Sequence, residues 1–206
     1  MKVLEKVERR LGEKLFLKGE RCLSQKCAQV RKPYPPGVHG KKRFRGGSEY
    51  SELLKEKQKL RFLYGLDNKN LKKYFIKART AKGDLESNLI GFLEHRLDNA
   101  VYRLGFAVSR SIARQLVSHG HIAVNDKAVN IPSYLVRTGD KIGINPSSKD
   151  SIFFNDLEAR FKKYEPPLWM ALDKEKISGE IKRKVSKEDV VIVPDISSII
   201  EFYSRQ

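Results

Sequence analysis

The feature that most constrains this chain is a change of hydrophobic period at Gly120. Upstream, apolar residues recur every three to four positions; downstream, they alternate. Leu71, Tyr74, Phe75 and Ala78 fall at i, i+3, i+4 and i+7, the stripe of a helix predicted over residues 68–81. Leu53, Leu54 and Leu60 give an apolar side to a helix opened by Ser48 and stopped by Gly65. A third helix is expected over 89–104. Leu89, Phe92, Leu93, Leu97, Ala100, Val101 and Leu104 form its buried stripe, and Gly105 ends it. A fourth follows over 110–118, capped by Ser109, packed through Ile112, Ala113, Leu116 and Val117, and closed by Gly120.

Beyond Gly120, residues 121–124 and 127–130 read as strands of a hairpin. The Asn125-Asp126 pair between them suits a tight turn, because Asn tolerates positive φ. Further strand signals stand at 134–136 and, after Gly139-Asp140, at 141–144. Residues 150–165 look helical again, and the tail alternates strand-like runs (169–172, 180–182, 199–203) with polar turns. The expected class is therefore α+β: a mainly helical N-terminal domain, then two helices followed by an antiparallel hairpin and small sheet.

Ahead of the helices, residues 1–20 mix charges densely, with Leu11, Leu15 and Phe16 as a short helix face. Over 21–48, Pro33, Pro35, Pro36, Gly37, Gly40, Gly46 and Gly47 break any regular element. Two readings stay open for this stretch: a disordered basic tail, or an arm that orders on RNA.

The net charge of +17 is concentrated at one end. Residues 1–83 hold 24 Lys/Arg against 8 Asp/Glu, and residues 84–206 hold 18 against 17. Such a field attracts polyanions. No stretch approaches the ~20 apolar residues of a membrane span, and no amphipathic anchor is evident, so nucleic acid is the expected partner. Two cysteines, Cys22 and Cys27, are too few for a secreted disulfide scaffold. The start, Met1 to Lys6, lacks a signal peptide's apolar core, and a cytoplasmic location is expected.

Cations cluster on particular faces. Lys69, Lys72, Lys73 and Lys77 lie opposite the apolar stripe of their helix. A solvated face is the bland reading; the lack of acids on that arc favours phosphate contact. Lys55, Lys57, Lys59 and Arg61 decorate the preceding helix, and Arg96, Asn99 and Arg103 share one side of the third. Arg110 and Arg114, four apart, offer planar forks that grip phosphates bidentately. Ser109, Gln115, Ser118 and His119 add neutral hydrogen bonds, and the free N–H groups of the fourth helix add more. Contacts of this kind read backbone shape, as folded RNA requires. His95, His119 and His121 have no nucleophile, acid–base pair or metal cluster around them in sequence, and no catalytic site is expected. Trp169, flanked by Leu168, Met170 and Leu172, reads as packed.

At these residues a family resemblance enters. The runs Leu93-Glu94-His95-Arg96-Leu97-Asp98-Asn99 and Val101-Tyr102-Arg103-Leu104-Gly105-Phe106 resemble the opening of the S-four RNA-binding domain. Ser109-Arg110, Ala113-Arg114-Gln115-Leu116-Val117, Gly120-His121-Ile122 and Val124-Asn125 continue it. Residues 15–22, residues 35–43, Glu56-Lys57-Gln58-Lys59-Leu60-Arg61 with Tyr64-Gly65, and the ending 200–205 are similar to the bacterial-type S-four family of small-subunit ribosomal proteins. The resemblance covers almost the whole chain.

That resemblance implies a 16S rRNA-binding structural component that nucleates assembly of the subunit body. It implies neighbours in ribosomal proteins S-three and S-five, a place lining the mRNA entry channel with an effect on translational accuracy, and no homo-oligomer in the ribosome. The residues expected to meet rRNA, by their placement on these faces, are Lys55, Lys57, Lys59, Arg61, Lys69, Lys72, Lys73, Lys77, Arg96, Arg103, Ser109, Arg110, Arg114, Gln115, Ser118, His119, His121, Asn125 and Lys127. For messenger, the resemblance points to Lys41, Lys42, Arg43 and Arg45. The chain is expected to divide into a basic arm (1–47), a helical rRNA-binding domain (48–93), the S-four domain (94–160) and C-terminal strands and tail (161–206) that return to the body.

Some members of the family hold zinc through four cysteines. Here Cys22 and Cys27 resemble the second pair, whereas Glu5 and Glu8 stand where the first would fall. His39 is a conceivable extra ligand. Structural zinc wants four ligands, usually Cys or His, so no metal and no cofactor are expected. Two rivals share the S-four module. An RNA-modifying enzyme such as a pseudouridine synthase needs a catalytic domain, for which the roughly 46 residues beyond 160 are too few. A small stress-related RNA-binding protein leaves the basic helical region unexplained.

Overall fold

The computed structural model describes residues 4–42, 46–148, 151–190 and 194–205. They form two compact units, one of residues 1–75 with 192–206 and one of residues 76–191. The expected 161–206 segment is thus shared between the two.

The first unit contains α1 (Leu4–Leu11), α2 (Ala28–Arg31), α3 (Glu49–Leu63), the opening of α4 (Asn68–Thr80) and α9 (Ile196–Ser204). α3 starts after an extended Ser48, as its sequence signals. Its apolar side, with Leu53 and Leu60 buried, packs against α9, whose Ile199 and Phe202 are buried in turn. Phe75 of α4 stacks on Tyr203 at 4.7 Å between centroids. Burying aromatic and branched side chains contributes about 1.5–3 kcal/mol each.

Here the tail differs from the strand-like run expected at 199–203. The Asp195 side chain accepts from the N–H groups of Ser197 and Ser198, which starts a helix. Ile196, Ile199, Phe202 and Tyr203 then fall on its buried face at helical spacing.

The N-terminal segment folds around an acid. α1 stops at Gly12, and the fully buried Glu8 accepts the Leu15 and Leu17 N–H groups at 3.1 and 3.2 Å. Leu15 and Leu17 therefore point inward while Phe16 between them is 46% exposed, instead of joining Leu11 and Leu15 on a helix face. Arg9 donates to the Lys32 and Tyr34 carbonyls and lies 5.0 Å from the Tyr34 ring, which ties down the Pro-rich stretch. Of that stretch, Arg43 and Arg45 lie outside the described residues.

The second unit holds the rest of α4, then α5 (Leu85–Glu94), α6 (Leu97–Arg103), α7 (Arg110–Ser118), β1 (Ile122–Val124), β2 (Lys127–Ala128), β3 (Lys141–Ile144), α8 (Leu157–Lys163), β4 (Met170–Asp173) and β5 (Ser178–Ile181). The single helix expected over 89–104 is two. Arg96 is extended (ψ 137°), the Val136 N–H donates to the His95 carbonyl, and the Leu97 N–H donates to the Tyr134 carbonyl. The strand signal at 134–136 therefore bridges to this break through Leu135 and Arg96, outside the main sheet.

α7 has the bounds and Ser109 cap that its sequence signals. Gly120 follows it at φ +75°, where a side chain would be strained. Asn125 and Asp126 both have positive φ, and the two-residue turn joins β1 to β2 in antiparallel register. The antiparallel sheet runs β2-β1-β3-β5-β4. Its core includes Leu93, Leu97, Leu104, Leu116, Ile122, Ile142, Phe161, Trp169 and Ile181, each no more than 2% exposed. No helix among the described residues is long and apolar enough to cross a membrane.

Candidate nucleic-acid interface

A carboxylate sealed from water must be paired or hydrogen-bonded. Glu94, at the end of α5, is 0% exposed and meets that demand with α6. Arg103 donates to both of its oxygens, from Nε and Nη2, at 2.9 Å each, and Asn99 Nδ2 donates at 2.8 Å. The Asn99 Oδ1 in turn accepts from Arg110 Nε at 2.8 Å, across to the first turn of α7. The Arg110 guanidinium also lies 4.5 Å from the Tyr102 ring centroid, a cation–π contact.

Asp98 forms a second centre. It takes a two-pronged contact from the buried Arg96 and lies 3.9 Å from Arg114 Nη1. Two buried acids thus orient four arginines, and guanidinium groups exceed carboxylates locally by two. Arg96 is enclosed, and Arg103 keeps 22% of its side chain exposed against 48% for Arg114. Arg110 is half-buried. Arg114, Gln115, Ser118 and His119 are exposed along α7 and its C-cap.

Other expected residues divide by what they touch. Ser109 is buried and caps α7 instead of facing outward. Asn125 holds the hairpin to β3 through Asp140 Oδ1 and the Lys141 N–H, while Lys127 is exposed beside it. His121 is half-buried, with Nδ1 2.9 Å from Ser148 Oγ.

In the first unit, Lys55, Lys69, Lys72 and Lys73 are exposed. Lys57, Lys59 and Arg61 are buried, contrary to an RNA-facing role. Lys59 sits between Glu13 and Glu56, Lys57 lies 4.8 Å from the Phe202 ring, and Arg61 covers Phe62 at 4.1 Å. Burial lowers the Lys57 pKa, with Arg61's charge adding to it, and burial likewise lowers that of Arg61. These cations serve the interior of the unit. In the second unit, Lys77 is exposed with its ammonium 4.4 Å from the Phe92 ring. On the arm, Lys41 and Lys42 are exposed.

The sequence did not assign roles to Glu94, Asp98 or Tyr102. Its one signal was an acid directly following Leu93 in an apolar stripe, a placement that demands a cationic partner.

The residues at the N-terminal cysteines do not fit a four-ligand zinc site. Glu8 is held by two backbone N–H groups, and Glu5 pairs with Arg21 at 2.9 Å and with Lys18. Burial pushes the Cys22 thiol up, which disfavours the thiolate a metal needs. His39 is exposed, and among the described residues no group of three His, Cys, Asp or Glu is arranged to hold a metal.

Known families and proteins are similar to the chain along nearly its whole length. Residues 4–94 match the profile of the ribosomal protein S4/S9 N-terminal domain, and residues 95–142 match the S4 domain. The chain is 50% identical over 198 residues to small ribosomal subunit protein uS4 of Thermus thermophilus, covering 96% of this chain and 94% of that one. It is 47% identical to the protein of the same name from Syntrophomonas wolfei and 46% to that from Halothermothrix orenii, each over 197 residues and with the same coverage. With an N-terminal helical unit, an arginine-bearing helix pair, an antiparallel sheet and this similarity along nearly its full length, the chain belongs to the uS4 family.

Proposed function

We propose that this protein is a structural, non-enzymatic component of the small ribosomal subunit that binds 16S-type rRNA early and nucleates assembly of the subunit body. The observation that carries the reading is the α7 face. Arg110 and Arg114 are aimed by buried Asn99 and Asp98, beside exposed Gln115, Ser118 and His119. Guanidinium groups fixed in advance lose little freedom on gripping phosphates. The exposed lysines of α3 and α4 and the basic arm supply further phosphate contacts in this reading. The arm, through Lys41, Lys42, Arg43 and Arg45, lines the path of entering messenger, with effects on accuracy. Ribosomal proteins S-three and S-five are its neighbours.

The test is equilibrium binding to a small-subunit rRNA transcript across a salt series. Arg110→Ala and Arg114→Ala each weaken binding at all sequences, and each lowers the slope of log K against log salt by about 1. A flat salt response sinks the phosphate reading. For the arm, replacing Lys42, Arg43 and Arg45 with alanine slows translation through a structured messenger; unchanged translation removes that role.

A further inference from the structure

At the C-terminal end of the arginine face of α7, the second unit carries a group of rings that starts from His119 of that face and extends past it. His119, the exposed C-cap of α7, has its ring 6.0 Å from that of His121. His121 lies 5.9 Å from Phe153, with the rings inclined at 45°. Phe153 stands in a 3-10 turn, Ile152–Phe154, and is 51% exposed, while its neighbour Phe154 is buried and meets His121 edge-on. A lone exposed phenylalanine needs no explanation. An exposed phenylalanine beside two histidines, continuous with a cationic helix face, is a different arrangement.

The group is held in place. His121 Nδ1 bonds Ser148 Oγ at 2.9 Å, and the His121 carbonyl accepts from the Asn145 N–H. Asn145 Nδ2 also donates to the Gly120 carbonyl. The turn that presents Phe153 is fixed in steps, Ser151 N–H to the Ser148 carbonyl and Phe154 N–H to the Ser151 carbonyl. Neither ring pair is parallel-stacked, so the rings do not cover one another face to face.

We propose that Phe153, with His119 and His121, is a stacking platform for one unpaired RNA base, set at the C-terminal end of the arginine-bearing helix. The inference rests on the RNA-binding reading above and adds a mode to it. Arginines grip the backbone, and the ring of Phe153 takes a flipped-out base whose edge the histidine nitrogens reach. Sequence-tolerant stacking of this kind is how proteins select single-stranded positions in a folded RNA. Such stacking carries no charge, so its loss must weaken binding without altering the salt dependence.

The experiment uses the full chain and a small-subunit rRNA transcript, with affinity measured over a salt series for Phe153→Ala, Phe153→Tyr and Arg114→Ala. Trp169 fluorescence in urea checks that the second unit is intact. Phe153→Ala is expected to lose roughly 5- to 150-fold in affinity with an unchanged salt slope, and Phe153→Tyr to regain most of it. Wild-type affinity in Phe153→Ala while Arg114→Ala still weakens overturns the platform and leaves the phosphate reading standing. Unchanged binding in both variants overturns the two together. If Phe153→Ala instead loosens a neighbouring ribosomal protein and leaves RNA affinity unchanged, the rings are a protein contact and the proposal fails.

Discussion

Replacing Glu94 with glutamine tests whether one buried acid organises the arginine surface. The side chain is 0% exposed and accepts two bonds from Arg103 and one from Asn99. The amide keeps one acceptor oxygen but turns an NH2 group toward a guanidinium. Breaking a buried charge pair by altering one partner costs about 3–5 kcal/mol. Arg103 retains some contact with water, with 22% of its side chain exposed, so the expected loss is at the low end, about 3 kcal/mol.

The assay is urea unfolding followed by Trp169, the only tryptophan in the chain. It is fully buried in the same unit and lies 5.5 Å from the ring of His95, the residue after Glu94. RNA affinity should fall less than stability, because Asn99 Nδ2 keeps its 3.0 Å bond to the backbone carbonyl of residue 94 and so still holds Arg110. In a double-mutant cycle, Arg103→Met should recover much of the loss in the Glu94→Gln background, since the stranded charge is then gone. Additive single effects, or a Glu94→Gln loss under about 0.5 kcal/mol, within the ordinary range for surface changes, would refute the role given to this carboxylate.

Further expectations follow from the same packing. His95 is lowered from its ordinary 6.5 first by burial, and its Nδ1–H donates to the Gly91 carbonyl at 2.8 Å. The unfolded chain takes up this proton first, so its contribution to stability is full above pH 6.5 and is lost as pH falls from there through the lower folded value. Urea titrations at stepped pH, with His95→Gln as the variant lacking that slope, check it. Lys59→Met should leave the salt slope of RNA binding unchanged yet shift thermal unfolding of the first unit, measured by circular dichroism, because Glu13 and Glu56 lose their shared cation; a reduced slope would instead make Lys59 a phosphate ligand. Gly105→Ala should destabilise by about 1–3 kcal/mol. Its φ is +81°, and an added Cβ would meet the Tyr164 ring at 2.8 Å, so wild-type urea stability would contradict the packing at that corner.

What the sequence disclosed was whatever neighbouring residues decide among themselves. Ser109 to Gly120 carries its cap, stripe and stop within twelve positions, and α7 has those bounds. Asn125-Asp126 likewise sets its own turn. The break between α5 and α6 was hidden because it depends on Tyr134 and Val136, some forty residues away, which take up the backbone of His95 and Leu97. α9 was misread because Ile199 and Ile200 favour strands locally, while the Asp195 cap and packing on α3 decide for helix. At the candidate site, Arg110 and Arg114 declared themselves by spacing. The burial of Lys57, Lys59 and Arg61 did not, since their partners include Glu13 and Phe202, far off in sequence.

The sheet order has a practical corollary for anyone wishing to express the RNA-binding module alone. β3 is hydrogen-bonded on one side to β1 and on the other to β5, which arrives from residues 178–181, well past the end of the S4-domain match at 142. A fragment cut at 142 would lose half of β3 along with β4 and β5, and one cut at 160 would keep β3 but present it as a naked ladder of unpaired amides and carbonyls, an invitation to aggregate. A piece that keeps the sheet whole therefore runs on through β5, and trimming to the S4-domain match would discard two of its five strands and half of a third.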